Sequence, residues 1–436
     1  MISEQKEEIK ENTETSYIEI GETGLFQSCG YIYEDFIPEL RAENKAHIFD
    51  EMRKSDIFSP SIHLLNQILL NIPWKMDENK SPKEADLCWS MLEDMEKPFQ
   101  FCLEDFITFI PFGFSLCEKI WKKRLGNLVQ DRRFYSKNNY RDGLIAPRKL
   151  PLRSQKTIHK WEFDRYGTIL GVYQVSPFNS EEIYIPIEKL LHFRTTTEGD
   201  NPEGLSIMRG SYDNYQYCKK LKRIEAIGAE KDLVGIPVLR LPSKIMSSEA
   251  SDHEKELFAG LKKQGANVKK NTQSVHVLPS DSDEKGKYIY DMQLLQAGGQ
   301  RLVDTNIIIE RYESNMAIQM LTDFLFMGAK KAGGTYNLAE VKIELFVQSL
   351  EHYLDVIEIV LNDSLIPDIY DKNGWDKTNI CKLKHGAVDT LNFEKFANGV
   401  MKLAQVGIIT NEKNVEKEAR RRCNVAQIDE TEEKIC

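Results

Sequence analysis

The chain has 436 residues, of which 41% are hydrophobic and 29% charged, so it can form packed cores and is neither collagen-like nor wholly disordered. Its 58 basic and 68 acidic side chains leave a net charge of −10, which excludes a polycation that wraps nucleic acid over its whole surface. The length favours about two to four structural modules.

The N-terminus is polar and acidic through residue 15, and no run of about 18 uncharged apolar residues occurs. We therefore expect a soluble protein made in the cytoplasm, without a membrane partner, whose residues 1–40 form a tail or arm. The eight cysteines show no C-x-x-C pair, so we expect reduced thiols that mainly pack in the interior.

Apolar residues at helical spacing predict a small helical layer in the first hundred residues. The four helices are expected at 44–57, from Ile62 to Pro73, after Pro82, and from about Pro98 to Ile110. From Gly113 the period changes from 3.6 to 2, which predicts a mostly β module over residues 113–195. A loose polar connection is expected within it at 125–155.

Two long helices with a small α/β module between them are predicted next. The first extends from Leu205 to Leu233, about 45 Å, and ends at Gly235-Ile-Pro237, while the second covers 301–321. The module is expected to contain a strand at 238–241, a helix at 249–264, and strands at 274–278 and 288–292. Two paired helices cannot cover all of their own apolar surface, so we expect neighbouring subunits to cover the rest.

The remaining segments are a glycine-containing loop and more helices. The loop at 322–336 contains Gly328, Gly333 and Gly334. A third long helix is predicted from Asn337 to Leu365, with Pro367 ending it. Two short helices are expected at 391–406 and 412–423.

Few residues form a pattern typical of a catalytic or ligand-binding site. Residues 328–335, GAKKAGGT, resemble a phosphate-binding loop, but glycine occupies the position of its lysine and the segment follows a helix instead of a strand. Lys330 and Lys331 remain candidates for a weak phosphate contact without sequence preference. We expect no metal site, no cofactor and no catalytic residues, and the protein is predicted not to be an enzyme.

The order of these elements resembles that of portal proteins of tailed bacteriophages. The local matches are Asn201-Pro-Glu-Gly-Leu-Ser-Ile-Met-Arg-Gly210 with the helix that follows it, Ile110–Trp121, and Leu391–Cys423. The resemblance implies an α+β, portal-like fold with a β-rich wing, a long-helix stem, a small α/β clip, a long kinked helix and a short helical crown. Its boundaries here would be 41–202 for the wing, 203–236 for stem helix 1, 237–297 for the clip, 298–321 for stem helix 2, 322–336 for the tunnel loop, 337–384 for the long helix and return to the wing, and 385–436 for the crown.

The resemblance also implies a function. Twelve copies would form a homo-oligomeric ring at one capsid vertex of the virion, with double-stranded DNA passing through its channel during packaging and ejection. The implied partners are the terminase, which performs the ATP chemistry, the major capsid protein and scaffold, and a head-tail adaptor.

The site residues that follow from the resemblance fall into three sets. The DNA-facing residues of the tunnel loop are Lys330, Lys331 and Thr335, and the loop hinges are Gly328, Gly333 and Gly334. The stem residues at the subunit interface are Tyr212, Tyr215, Leu221, Ile224, Ile307, Ile308 and Tyr312.

Two alternatives remain open at this point. One is a cytosolic nucleotide-binding enzyme that uses residues 328–335 as a phosphate cradle, which nucleotide binding abolished by Gly333→Ala would favour. The other is a capsid-associated adaptor without a channel, which the mass of the assembly would distinguish from a ring.

Overall fold

The computed structural model describes residues 21–388 except 34–35, 42–43, 78–81, 235, 242–244, 246–249, 270–289, 296–303 and 324–335. The chain divides into two compact units. The first contains Met1–Ile207 and Phe324–Cys436, and the second contains Met208–Asp323.

Ten α-helices are found in the described residues. They are α1 (Asn44–Met52), α2 (Phe58–Leu70), α3 (Pro82–Glu93), α4 (Phe99–Phe106), α5 (Phe109–Phe112), α6 (Tyr212–Val234), α7 (Asp252–Lys269), α8 (Thr305–Gln319), α9 (Tyr336–Val360) and α10 (Ile366–Asn373). The helical layer predicted before Gly113 is confirmed as α1 to α5, with α2 starting four residues earlier than expected.

The strands form small antiparallel sheets. They are β1 (Gln27–Ser28), β2 (Tyr31–Ile32), β3 (Trp74–Asp77), β4 (Phe114–Glu118), β5 (Ile120–Lys123), β6 (Ile145–Lys149), β7 (Leu152–Arg153), β8 (Ile158–Phe163), β9 (Ile169–Val175), β10 (Glu182–Pro186), β11 (Leu190–Arg194), β12 (Ile236–Arg240), β13 (Asp291–Leu295) and β14 (Lys382–His385). The orders are β10-β9-β8, β11-β4-β7, β5-β6, β14-β3, β1-β2 and β12-β13. Together they confirm the mixed helix and sheet class and the β module after Gly113.

The main core of the first unit lies between α9 and the N-terminal helices. Leu350, Leu354, Ile357 and Leu361 recur at helical spacing and are all fully buried, so one stripe of α9 and its continuation forms this core. Phe106 also stacks there on a β11 side chain, Phe193, with ring centroids 4.7 Å apart. A second, smaller core is formed under β8, β9 and β10 around Trp161, which is 2% exposed.

The predicted loose connection at 125–155 is wrong. It contains β6 and β7, and β6 pairs with β5. The sequence pattern failed because hydrogen bonds to a distant buried carboxylate, not apolar alternation, hold the polar part of this segment: Asp94 accepts from Ser136 Oγ at 3.0 Å and from Asn138 N at 2.9 Å.

The predicted end of the third long helix at Pro367 is also wrong. One π-helical turn, Leu361–Leu365, follows α9, and α10 then continues through Pro367 to Asn373. The proline lies in the first turn of α10, directly after the π-helical turn, where a proline is tolerated. Gly374, with φ of 66°, ends the helix instead.

The two long helices of the second unit are shorter than predicted. α6 begins at Tyr212 instead of near residue 203 and has 23 residues, about 35 Å. A short 3-10 turn, Arg209–Ser211, precedes it. α8 starts after Asp304, whose carboxylate accepts a hydrogen bond from Asn306 N.

The module between these helices differs from the prediction in detail. α7 starts at Asp252 and reaches Lys269, and the last strand is Asp291–Leu295 instead of 288–292. This strand pairs antiparallel with β12, from Ile236↔Leu295 to Arg240↔Asp291. The strand expected at 274–278 and the helices expected after residue 390 lie outside the described residues.

Six cysteines in the described part of the chain are free thiols. Cys29 is exposed, whereas the others are buried, as predicted: Cys88, Cys102, Cys117, Cys218 and Cys381. None of the described helices is both long and apolar enough to cross a bilayer.

Candidate functional site: the glycine junction and the helix pair

Two segments that stood out in the sequence contact each other in the first unit. Gly113 follows α5 with φ of +96°, and Gly204 in the Asn201-Pro-Glu-Gly turn has φ of +51°. A Cβ on Gly113 would lie 2.4 Å from the carbonyl oxygen of Glu203, and a Cβ on Gly204 would lie 2.4 Å from that of Gly113. Both positions therefore require glycine, by conformation and by close backbone approach. We call this contact the glycine junction.

Hydrogen bonds hold the glycine junction from both sides. Thr195 N donates to Gly113 O at 3.0 Å, and Leu205 N donates to Thr195 Oγ1 at 2.9 Å. Ser206 Oγ donates to Pro111 O at 2.6 Å. The path of the chain just before α6 is therefore set by backbone contacts that neither segment reveals alone.

Charged and aromatic side chains surround the same turn. Glu203 accepts a hydrogen bond from Lys45 Nζ at 2.9 Å and another from Trp161 Nε1 at 3.3 Å. Arg194 donates to Asp200 at 2.7 Å. These contacts connect the turn to α1, β8 and β11.

His192 donates from Nε2 to the carbonyl oxygen of Pro202 at 2.7 Å. Burial and, to a smaller extent, the charge of Arg194 together lower the pKa of its imidazole to about 3, although the bond to Pro202 O opposes the shift. His192 is therefore neutral at pH 7 and acts here as a structural donor.

His192 should make the free energy of unfolding depend on pH, and this dependence should begin at a higher pH than the range in which carboxylates titrate. Its pKa is lower in the folded state than in the unfolded state, so its contribution is complete above about pH 6.5 and is lost as pH falls toward 3. We expect the free energy of unfolding to fall by up to about 1.4 kcal/mol per pH unit below 6.5. His192→Gln, which keeps a side-chain donor, should flatten the profile between pH 6.5 and 5 in urea denaturation. Equal slopes in both proteins would contradict this assignment.

The second unit contains α6 and α8 as an antiparallel pair. The rings of Tyr217 and Tyr312 are stacked with centroids 6.1 Å apart, and Lys222 Nζ lies 2.9 Å from a Glu313 carboxylate oxygen. Further along, Thr305 Oγ1 donates to Glu225. From the Tyr217–Tyr312 contact to the Glu225–Thr305 contact, residue numbers rise on α6 and fall on α8, which establishes the antiparallel orientation predicted for the two long helices.

The predicted interface residues differ in exposure. Tyr212 and Tyr215 are already buried within the single chain, and three others are partly buried: Leu221, Ile308 and Tyr312. Ile224 and Ile307 are 52% and 67% exposed. The sequence reasoning missed Tyr217 and Ile318, which are 55% and 54% exposed. Apolar residues occur on more than one face of α8, and that signal could have identified Ile318.

The loop residues singled out in the sequence lie outside the described residues: Lys330, Lys331, Thr335, Gly328, Gly333 and Gly334. Neither the predicted phosphate contact nor the alternative nucleotide cradle is therefore tested. Within the ranges that are described, no group of three or more His, Cys, Asp or Glu side chains is arranged to hold a metal ion.

Comparison with known proteins gives one match of high coverage. Residues 46–424 match the family model described as the portal protein of Mu bacteriophage. No curated relative matches the sequence.

Solved structures also resemble the chain at low sequence identity. A chain in the neck of the native gene transfer agent (GTA) particle, computed with C12 symmetry, has a TM-score of 0.49 and 11% identity, over 87% of this chain and 94% of that one. A portal protein of the HK97 phage family from Corynebacterium diphtheriae has a TM-score of 0.43 and 12% identity, over 78% of this chain and 95% of that one.

Proposed function

Because the chain belongs to the portal protein family represented by bacteriophage Mu, we propose that twelve copies form a ring at one capsid vertex of the virion. Double-stranded DNA passes through this ring during packaging and ejection. The observation that carries the ring assembly is the apolar surface that the α6–α8 pair leaves in contact with water.

The helix pair is apolar on more faces than one chain can cover. Ile309, Met316 and Ala317 of α8 are buried, yet Ile307 and Ile318 of the same helix are more than half exposed. Burying one such isoleucine completely contributes about 1.5–3 kcal/mol, so repeated contacts around a ring add a large driving force. A helix that is apolar on several sides is expected to be buried in its assembly.

Charge on the two helices supports a head-to-tail contact. Four cations occupy five successive positions of α6, from Lys219 to Arg223, and one of them, Lys222, pairs with Glu313 of the same chain. Asp304, at the N-terminus of α8, and Glu310, within the helix, are both exposed. A ring requires two different subunit faces that fit each other, and opposite charges on neighbouring helices set their register.

Other parts of the proposal follow from the family. Lys330, Lys331 and Thr335 face DNA as a weak contact in a mostly acidic channel, because many fixed cations would bind the duplex too tightly to let it slide. Gly328, Gly333 and Gly334 are the hinges of that loop. The terminase, the major capsid protein with its scaffold, and a head-tail adaptor are the partners, and the terminase carries the ATP chemistry.

Ile307→Asp should prevent ring formation by placing a carboxylate in the apolar contact. The wild-type assembly is expected at about 600 kDa, twelve times 50.4 kDa, with a central hole in negative-stain images. The variant should remain folded and have the mass of a single chain in light scattering.

Ile183→Asp is the matched control, since Ile183 is also exposed but lies on β10 of the first unit. It should form rings like the wild type. A wild-type chain that stays monomeric or dimeric, even in particles assembled with scaffold, would overturn the ring proposal. Rings of normal size from Ile307→Asp would place the subunit contact elsewhere.

A further inference from the structure

Positive charge is concentrated in one segment of this acidic chain. Residues 122–153, here called the basic segment, contain ten Lys or Arg and only two Asp or Glu. Its net charge is therefore +8, although the whole chain has a net charge of −10. Such a local reversal of sign is the electrostatic signature of a surface that binds a polyanion.

The basic segment is a defined structure. Lys123 N donates to Arg133 O at 2.8 Å, and Ser136 N donates to Gly126 O at 3.0 Å, so residues 131–136 lie beside the end of β5. Asp94 in the interior accepts hydrogen bonds from Ser136 Oγ at 3.0 Å and from the backbone N of Asn138 at 2.9 Å. The loop between β5 and β6 is therefore anchored to the core.

Two cations of the basic segment serve this anchoring. Lys122 is buried against Asp94, and the buried Arg124 guanidinium pairs with Asp142 and lies 4.5 Å from the centroid of the Tyr140 ring. The other acidic residue, Asp131, binds its neighbour Arg133. Both acidic side chains of the segment are thus already engaged by cations within it.

Four exposed cations remain. Among the described residues, Lys123, Arg132, Lys137 and Arg141 form no ion pair. The anchoring holds the backbone that carries them, so a ligand need not restrict the backbone of this loop when it binds.

We propose that these four cations bind the phosphate backbone of double-stranded DNA without sequence preference. A duplex presents phosphates continuously, so separated cations can contact it without a fixed register. A stiff duplex also keeps its charges in place, whereas a flexible acidic peptide would lose conformational freedom on binding, so the same four cations favour the duplex.

This inference rests on the proposed function, in which double-stranded DNA passes through the ring that this protein forms. The basic segment lies in the wing range 41–202, whereas the lysines proposed for the channel lie in the loop 322–336. It is therefore a second DNA contact, made by residues other than the loop lysines, that holds packaged duplex against the body of the subunit.

The test measures binding of a fluorescent duplex of about 30 base pairs to the full chain by anisotropy. Four phosphate contacts predict that wild-type affinity falls about 10²-fold between 50 and 200 mM salt. The triple variant Arg132→Glu/Lys137→Glu/Arg141→Glu should bind at least tenfold more weakly at 50 mM salt and lose most of the salt dependence. The duplex affinity of a milder variant, with alanine at the same three positions, should lie between those of the wild type and the glutamate variant.

The control carries the same change of charge elsewhere in the first unit. Lys75→Glu/Lys83→Glu/Lys189→Glu alters three exposed lysines outside the basic segment and should retain most of the affinity. Equal loss in both triple variants, or none in either, would overturn the proposal. Tighter binding of a poly-glutamate peptide than of duplex at equal charge would assign the surface to an acidic protein and overturn the DNA assignment.

Imaging the same preparations separates this inference from the proposed function. Rings that form normally while duplex binding is lost in the Arg132, Lys137 and Arg141 variant would support both. Normal duplex binding by a chain that never forms rings would overturn the ring and leave the basic segment as a DNA contact.

Discussion

Gly113→Ala is expected to lower the free energy of unfolding by about 2–5 kcal/mol, combining the cost of a positive φ with that of a steric overlap. The new Cβ would lie 2.4 Å from the carbonyl oxygen of Glu203, which is backbone and cannot rotate away. The Asn201-Pro-Glu-Gly turn would have to move, and with it the hydrogen bonds of Thr195 and Ser206. Urea denaturation of the full chain measures the change.

Gly199→Ala is the matched control for this prediction. Gly199 also has a positive φ, of 60°, but nothing lies within 4 Å of the position its Cβ would occupy. Its substitution should therefore cost only the conformational part, about 1 kcal/mol. Similar losses in the two variants would mean that the glycine junction adapts and that close backbone approach is not what requires Gly113.

Asp94→Ala is expected to destabilise the protein by about 3–5 kcal/mol, because it leaves the Lys122 ammonium buried without its carboxylate. Lys122 and Asp94 are both almost inaccessible to solvent. The substitution also removes the acceptor for Ser136 Oγ and the backbone N of Asn138. We expect trypsin to cleave the loop at Arg132 and Lys137 much faster in the variant than in the wild type.

Asp131→Ala removes the carboxylate of a pair in the same loop whose members are exposed, Asp131 and Arg133. Because exposed pairs contribute about 0–1 kcal/mol, this control should be nearly neutral in urea denaturation. Equal stability and equal cleavage rates in the two variants would contradict the role assigned to Asp94. They would also weaken the DNA proposal, which relies on an anchored basic segment.

Local patterns predicted most helices of the first unit and the β module. Where apolar residues recur at one spacing, as in α2 or α9, packing and propensity favour the same structure, so the element can be recognised without its neighbours. The long helices were predicted at the correct places but with wrong ends. Pro367 illustrates the reason, since a proline near the start of a new helical turn is tolerated and cannot be distinguished locally from one that stops a helix.

The candidate sites were less accessible to sequence reasoning. Ile224 and Ile307 were identified from apolar stripes, yet Tyr212 and Tyr215 belong to the same stripes and are buried within the chain. Periodicity shows that one face of a helix is apolar, but it does not show which neighbour covers that face. The basic segment from residue 125 onward was predicted as a loose connection because its anchor, Asp94, is 42 residues from Ser136 and 44 from Asn138 in sequence.

The sequence by itself determined the mixed helix and sheet class, the order of the elements and the resemblance to portal proteins, because each depends on local periodicity and on short motifs. Only the tertiary structure decided that Gly113 meets Gly204, that Asp94 holds the loop after β5, and which faces of α6 and α8 stay exposed. Each of these depends on contacts between residues far apart in the chain, and the free energy of such a contact depends on burial and backbone approach that no local pattern encodes.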